Sequence, residues 1–249
     1  WTGSFVLGVA VSLPVILLLG VCLEAGLLRP LYARGHLDQV LATFGMILFF
    51  NEFVRLVWGP EGIEVPLPDF LKGNIVIFDI PLPNYRLVVI GVGLIVALMM
   101  YLLVTKTRTG MLIRAGASNR DMVQALGIDI NRVFTLVFGI GAALAALAGA
   151  LAGPILAVTI GMGENILIQV LVVIVIGGIG SIRGAFVGAM LIGIIDILGR
   201  SFLDTFFKLF LPVNAAETAG PAVASMLIYI LMAAVLFFKP QGLFPAKTG

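Results

Sequence analysis

Few residues in this 249-residue chain could carry out acid–base or metal chemistry. His36 is the only histidine and Cys22 the only cysteine. The single cysteine excludes a disulfide within this sequence, and the single histidine argues against a histidine-dependent triad and a multi-histidine metal site. The charged groups set within apolar sequence are Glu52, Arg55 and Asp196, with Asn51 beside the first. Glu52 and Arg55 stand three residues apart, a spacing that pairs side chains on one helix face. A charge at the centre of a bilayer costs on the order of 2.5–3.5 kcal/mol, so such groups are expected to face protein or water. They serve either as a structural ion pair or as the lining of a solute path. Asp196 is expected to meet Arg200 one turn on, or a partner subunit. Neither site forms a proton relay, and no convergent nucleophile and base supplies an intramembrane enzyme.

The densest polar stretch is 106–132, which holds Lys106, Arg108, Arg114, Arg120 and Arg132. Within it, Ser118 is expected to cap a short helix over 119–126, with Asp121 as the acidic residue of its first turn. Gly127 is expected to end the helix. This places Met122, Val123, Ala125 and Leu126 on one side and Asn119, Arg120, Asp121 and Gln124 largely on the other. Eight residues are too few to hold a helix in water, so something must dock against it.

The elements that position these residues are membrane spans. The chain is 61% hydrophobic and 11% charged, against about 25% charged residues in a soluble domain. Apolar runs suited to a ~30 Å hydrocarbon core fall at 5–23, 39–58, 87–104, 133–153, 166–182, 184–198 and 222–238. The fold class is an all-α polytopic transmembrane bundle of about seven segments. Residues 166–198 are expected to form a tilted hairpin or to include a re-entrant piece. If the spans alternate, ten basic residues fall on the face with 24–38, 106–132, Arg183 and the C-terminal tail, and four on the other. The excess of positive charge places 106–132 and the C-terminus in the cytoplasm.

Outside, 59–86 is expected to be an ordered cap with a short hairpin strand near 75–80. Residues 202–211 are expected to lie in the membrane interface. Small residues every fourth position, at Gly141, Ala145, Gly149 and Gly153 and again from Gly177 to Gly193, mark close-packing faces. The net charge of +2 includes no basic run suited to nucleic acid. The first residue, Trp1, suggests that an upstream segment precedes this sequence.

From Arg114 through Ala117, Ser118, Asn119, Arg120, Asp121, Met122, Val123, Ala125, Leu126, Gly127 and Ile128 to Phe134, the chain resembles the permease subunits of branched-chain amino-acid ABC importers. The resemblance extends to Leu41-Ala-Thr-Phe-Gly45, Val54-Arg-Leu-Val-Trp-Gly59, Val175-Ile-Gly-Gly-Ile-Gly-Ser-Ile-Arg-Gly184 and Lys239-Pro-Gln-Gly-Leu-Phe244. It implies one transmembrane permease domain over 1–249 in the bacterial inner membrane, with 106–132 as its cytoplasmic coupling loop. It also implies that 117–128 contacts an ATPase subunit, with Ala125 and Gly127 at the small-residue core of that contact. Further partners would be a second homologous permease subunit, an external solute-binding protein and membrane lipid. No cofactor is expected on this chain, since it holds no G-x-x-x-x-G-K-[ST] pattern; ATP and magnesium would sit on the partners. The expected solute is a branched-chain or related amino acid. A urea or amide importer and an ion-coupled secondary transporter are the alternatives.

Overall fold

The computed structural model describes residues 4–32, 34–77, 80–209 and 213–244. Its helices are α1 (Phe5–Leu23), α2 (Arg29–Leu31), α3 (His36–Trp58), α4 (Asn84–Lys106), α5 (Arg108–Ser118), α6 (Arg120–Ala125), α7 (Ile130–Leu156), α8 (Met162–Gly177), α9 (Ile182–Lys208) and α10 (Val213–Phe238). Five helical stretches among the described residues are long and apolar enough to cross a membrane. They are Phe5–Leu31, Leu37–Trp58, Asn84–Lys106, Ile130–Leu156 and Ile182–Lys208. Two shorter apolar helices, Met162–Gly177 and Ala222–Phe238, occupy the remaining positions expected to be spans.

The chain packs as two compact units, Trp1–Met162 and Gly163–Gly249. In the first, α1 and α7 run antiparallel and cross where both carry glycine. A Cβ on Gly20 would lie 2.7 Å from the Ala142 Cβ, and one on Gly139 would lie 2.9 Å from a Val21 methyl. The stripe expected to pack, from Gly141 to Gly153, is not the one used. Gly141 and Gly149 have nothing within 4 Å, and only Gly153 meets side chains, those of Val158 and Val65. Periodicity marks a small-residue face but cannot say which face meets a neighbour. The apolar windows of α3 and α4 are unburied within the chain, as surfaces that meet lipid or another subunit are.

The segment between α3 and α4 holds a hairpin of β1 (Asn74–Ile77) and β2 (Ile80–Pro83), paired antiparallel with Ile75 opposite Leu82. Residues 78 and 79 of the expected strand lie outside the described part. Ile63 and Val158 exchange backbone hydrogen bonds of 2.9 Å each way, tying this segment to the end of α7.

In the second unit, Val172, Ile176, Ile192 and Ile228 form one core across α8, α9 and α10. The turn from α8 into α9 uses Gly178 at φ 101° and Gly180 at φ 80°, a left-handed geometry that favours glycine. Ser181 then caps α9 by accepting from the Gly184 amide at 3.1 Å. The C-terminal segment folds back onto this turn. The Leu243 amide donates to Ile176 O at 2.8 Å and the Phe244 amide to Gly177 O at 3.0 Å, satisfying carbonyls that the end of α8 leaves without partners. Of the stretch 202–211, the residues through Lys208 continue α9, and residues 210 and 211 lie outside the described part.

Candidate coupling site

The polar loop folds as a braced unit of two helices. Thr107 opens α5, its hydroxyl accepting from the Gly110 amide at 3.1 Å. Gly110 is buried where α5 turns back on the end of α4, so closely that a Cβ would strike the carbonyls of Leu103 and Val104. Arg114 donates to the Val104 carbonyl, fastening α5 to the same turn. The helix α5 was not expected from the sequence, and it moves the cap of the next helix. Ser118 is the last residue of α5 rather than an N-cap. Asn119 takes that role, its side chain accepting from the Met122 amide at 3.0 Å. The reason is competition for the chain: with Ser118 still helical, the first extended residue is Asn119, at φ −151° and ψ 99°. The Asp121 side chain lies outside the described part.

Gly127 ends α6 as expected. It sits at φ 79°; its amide donates to Gln124 O at 2.9 Å, and the Ile128 amide donates to Val123 O at 3.3 Å. This pair of bonds is a Schellman stop, completed by an apolar contact between its ends. Val123 is 4% exposed and clusters with Ile130 and Val133, against which Leu112, Ile113, Ala115, Ile128 and Phe134 also pack. Part of the docking partner that a short helix requires is thus the chain itself.

The apolar side anticipated for α6 is split by this docking. Val123 turns inward, whereas Met122 is 60% and Leu126 72% exposed. Ala117, Ser118, Asn119, Ala125 and Gly127 are exposed beside them, and Ile128 is half-buried. The basic residues brace the loop rather than only marking its side of the membrane. Arg120 donates to Asn131 Oδ1 at 2.9 Å and lies 5.1 Å from the centre of the Phe134 ring and 5.7 Å from that of Tyr32. Arg132 pairs with Asp129 at 2.8 Å, and Asp129 caps α7 through the amides of Asn131 and Arg132.

Behind α6 lies a polar cluster that sequence reasoning missed. Between α1 and α2, residues Glu24–Leu28 form a π-turn in which the Arg29 amide donates to Glu24 O, five residues back. Pro30 accounts for the widening, since its ring would clash with the carbonyl four residues earlier in a regular helix. The Glu24 side chain is fully buried. Its Oε2 lies 3.1 Å from an Arg29 guanidinium nitrogen and 2.5 Å from the Thr135 hydroxyl. The same Arg29 nitrogen donates to Thr135 at 2.6 Å. Burial, and then the neighbouring Glu24 carboxylate, push the Tyr32 phenol above its ordinary pKa. The sequence signal for this cluster was a lone acid closing an apolar run, followed by Arg29-Pro30.

Glu52 and Arg55 pair on α3 at 3.0 Å and remain 68% and 56% exposed. Glu52 lines a shallow cleft of about 440 Å³ with Leu48, Phe49, Phe53 and Leu56, and Asn51 beside it is half-buried. Asp196, in the second unit, pairs with Arg200 at 2.9 Å. A cleft of about 400 Å³ along α4 and α7, lined by residues such as Val92, Leu144, Leu147 and Leu151, has only apolar lining residues and offers nothing to orient a charged solute.

A nearly all-helical chain with repeated membrane-length apolar helices and a capped polar helix between two of them is a multi-pass membrane protein. The model of the family described as "Branched-chain amino acid transport system / permease component" matches residues 2–236, and the chain belongs to that family. It is 29% identical over 240 residues to the high-affinity branched-chain amino acid transport system permease protein BraD of Pseudomonas aeruginosa, covering 94% of this chain and 72% of the relative. It is 32% identical over 197 residues to LivH of Escherichia coli, a permease protein of the same description, covering 76% of this chain and 63% of the relative. A probable branched-chain amino acid transport permease protein, LivM of Methanocaldococcus jannaschii, is 27% identical over 214 residues, 81% of this chain and 57% of that one. No solved structure matches the chain.

Proposed function

We propose that this chain is the membrane-embedded permease subunit of an ATP-driven importer for branched-chain or related amino acids. The observation that carries this reading is α6, a helix stapled at both ends that holds Met122 and Leu126 outward. An exposed apolar pair on a braced helix suits the groove of an ATPase subunit that hydrolyses ATP and holds the nucleotide and magnesium. Residues 117–128 form this contact, with Ala125 and Gly127 allowing close approach. The chain itself is a transport subunit and not an enzyme.

The 106–132 loop and the C-terminus face the cytoplasm, with the chain in the bacterial inner membrane as one permease domain. The excess of basic residues on that face supports the orientation. A second homologous permease covers unburied faces of α3 and α4, lipid covers others, and an external solute-binding protein delivers the solute. Closure of two ATPases moves the paired coupling helices and rocks the bundles between inward-open and outward-open states. Glu52 lies six residues, about 9 Å, and Arg55 three residues, about 4.5 Å, below the outer end of α3 at Trp58. The two charges of this pair and the apolar neighbours Phe49 and Phe53 complement an apolar zwitterion on the solute path.

Reconstitution with the ATPase, the second permease and the binding protein in proteoliposomes tests the proposal. Accumulation of leucine, isoleucine or valine that requires ATP is the expected result. Uptake driven by an ion gradient without ATP overturns it.

A further inference from the structure

We propose that the buried Glu24–Arg29–Thr135 cluster is the positioning device that makes α1 follow α6. This inference rests on α6 being the ATPase-docking helix. The connection is continuous in the structure. Arg120 on α6 donates to Asn131 Oδ1 at 2.9 Å in the first turn of α7. One turn on, the Thr135 hydroxyl lies 2.8 Å from Asn131 O and 2.5 Å from Glu24 Oε2, so its single proton has two acceptors to choose between. Arg29 donates to Thr135 and to Glu24 through the same nitrogen. A displacement of α6 therefore reaches the end of α1 through two side chains of α7, in addition to the apolar contact of Val123 with Ile130 and Val133.

The element able to respond is the π-turn Glu24–Leu28. In a regular α-helix, residues five apart point about 140° away from each other. The wide turn is what brings Arg29 beside Glu24, and the ion pair in return holds the turn wide. Tightening the turn breaks the pair; keeping the pair keeps the turn. That reciprocity makes the pair and the wide turn change together, as a coupling element requires, and short π segments inside helices are frequent at functional sites. The cluster is also only partly satisfied. Among the described residues, Glu24 Oε1 and Arg29 Nε are buried without a partner in hydrogen-bonding geometry, the Tyr32 phenol being the further polar group close to the Glu24 carboxylate. Buried polar atoms without partners are costly to hold, so the cluster adds less to stability than its ion pair alone suggests. The close α1–α7 crossing at Gly20 and Gly139, about one turn further along, then carries the change into the membrane.

Thr135→Val tests this in the full complex, because it keeps the side-chain shape and removes the hydroxyl. Two readouts are taken in proteoliposomes: solute imported per ATP hydrolysed, and the spectrum of a spin label on Cys22. That residue is the chain's only cysteine, two residues before Glu24, and exposed. The ATPase and binding protein are used cysteine-free. In the parent, ATP with vanadate is expected to change the label's mobility, and an unresponsive parent label overturns the inference. Thr135→Val is expected to retain the ATPase, lower the transport ratio roughly three- to tenfold and abolish the ATP-dependent change at Cys22. Thr135→Ser restores both. If Thr135→Val does not assemble, Asn131→Ala, which lies outside the 117–128 contact, removes the acceptor of Arg120 and is expected to give the same two losses. An unchanged ratio and label response, or a fall in uptake and hydrolysis in equal proportion, overturns the inference. Neither outcome touches the docking assignment, which fails separately if truncation of Leu126 leaves ATPase affinity unchanged.

Discussion

Leu126→Ala separates docking from folding, because Leu126 is 72% exposed on α6 and contributes little to the packing of its own chain. Fully burying a leucine is worth about 1.5–3 kcal/mol. The exposed fraction therefore leaves roughly 1–2 kcal/mol to be gained in a partner's groove, of which truncation to alanine removes about 1–1.5 kcal/mol. At 1.4 kcal/mol per tenfold, this weakens the ATPase Kd by about five- to twelvefold. Leu126→Asp goes further by placing a charge in the same groove, and it should uncouple hydrolysis from uptake while leaving membrane insertion intact. The assay titrates fluorescent ATPase against the permease in nanodiscs, with thermal unfolding of the permease alone measured in parallel. Affinity is expected to fall while the unfolding temperature stays put. Val123→Ala is the converse: at 4% exposed it gives up about 1–2 kcal/mol of packing and lowers the unfolding temperature. Parental affinity in Leu126→Ala, or an unfolding temperature that drops as far as in Val123→Ala, refutes the division of α6 into inner and outer faces.

Other perturbations probe the elements that hold this site. Gly127→Ala meets no atom within 4 Å, so its cost is purely that of φ 79°, about 1–2 kcal/mol. Faster hydrogen exchange at the Gly127 and Ile128 amides is the expected signature, and unchanged protection counts against the Schellman stop. Gly20→Val drives a branched side chain into Ala142, whose Cβ would be 2.7 Å from even a first added carbon. Overpacking of about 1–3 kcal/mol should appear as a lower unfolding temperature, and parental stability would deny the α1–α7 crossing. Tyr32 has its pKa raised by burial and then by Glu24, so the folded protein holds that proton more tightly than the unfolded chain. Its contribution is fully present below the unfolded value near 10 and is lost as pH rises through the higher folded value. Tyr32→Phe should flatten the alkaline limb of the stability profile; an unaltered limb contradicts the assignment.

Much of the fold was legible because a bilayer imposes it. A helix that crosses hydrocarbon must be long and apolar, so α1, at Phe5–Leu23, matched its apolar run to the residue. The other spans differed mainly at their ends, where capping and turns decide. The end of α6 was legible for a local reason as well: a left-handed stop favours glycine wherever the chain goes next. Its start was not, because Asn119 and Ser118 are both good caps and only the presence of α5 chooses between them. The split of the apolar side into Val123 inward and Leu126 outward was invisible for the same kind of reason. Both residues have the same chemistry, and what differs is where α7 lies.

By itself, the sequence determined the solvent, the spans and the polar interruption, since each follows from transfer free energies summed over neighbouring residues. The motifs carried the family resemblance. Tertiary structure alone decided the rest: which glycines meet, that Lys239-Pro-Gln-Gly-Leu-Phe244 returns to close the end of α8, and that Glu24 finds Thr135 across 111 residues. Such partners are chosen by the packing of whole helices, and no local preference along the chain encodes them.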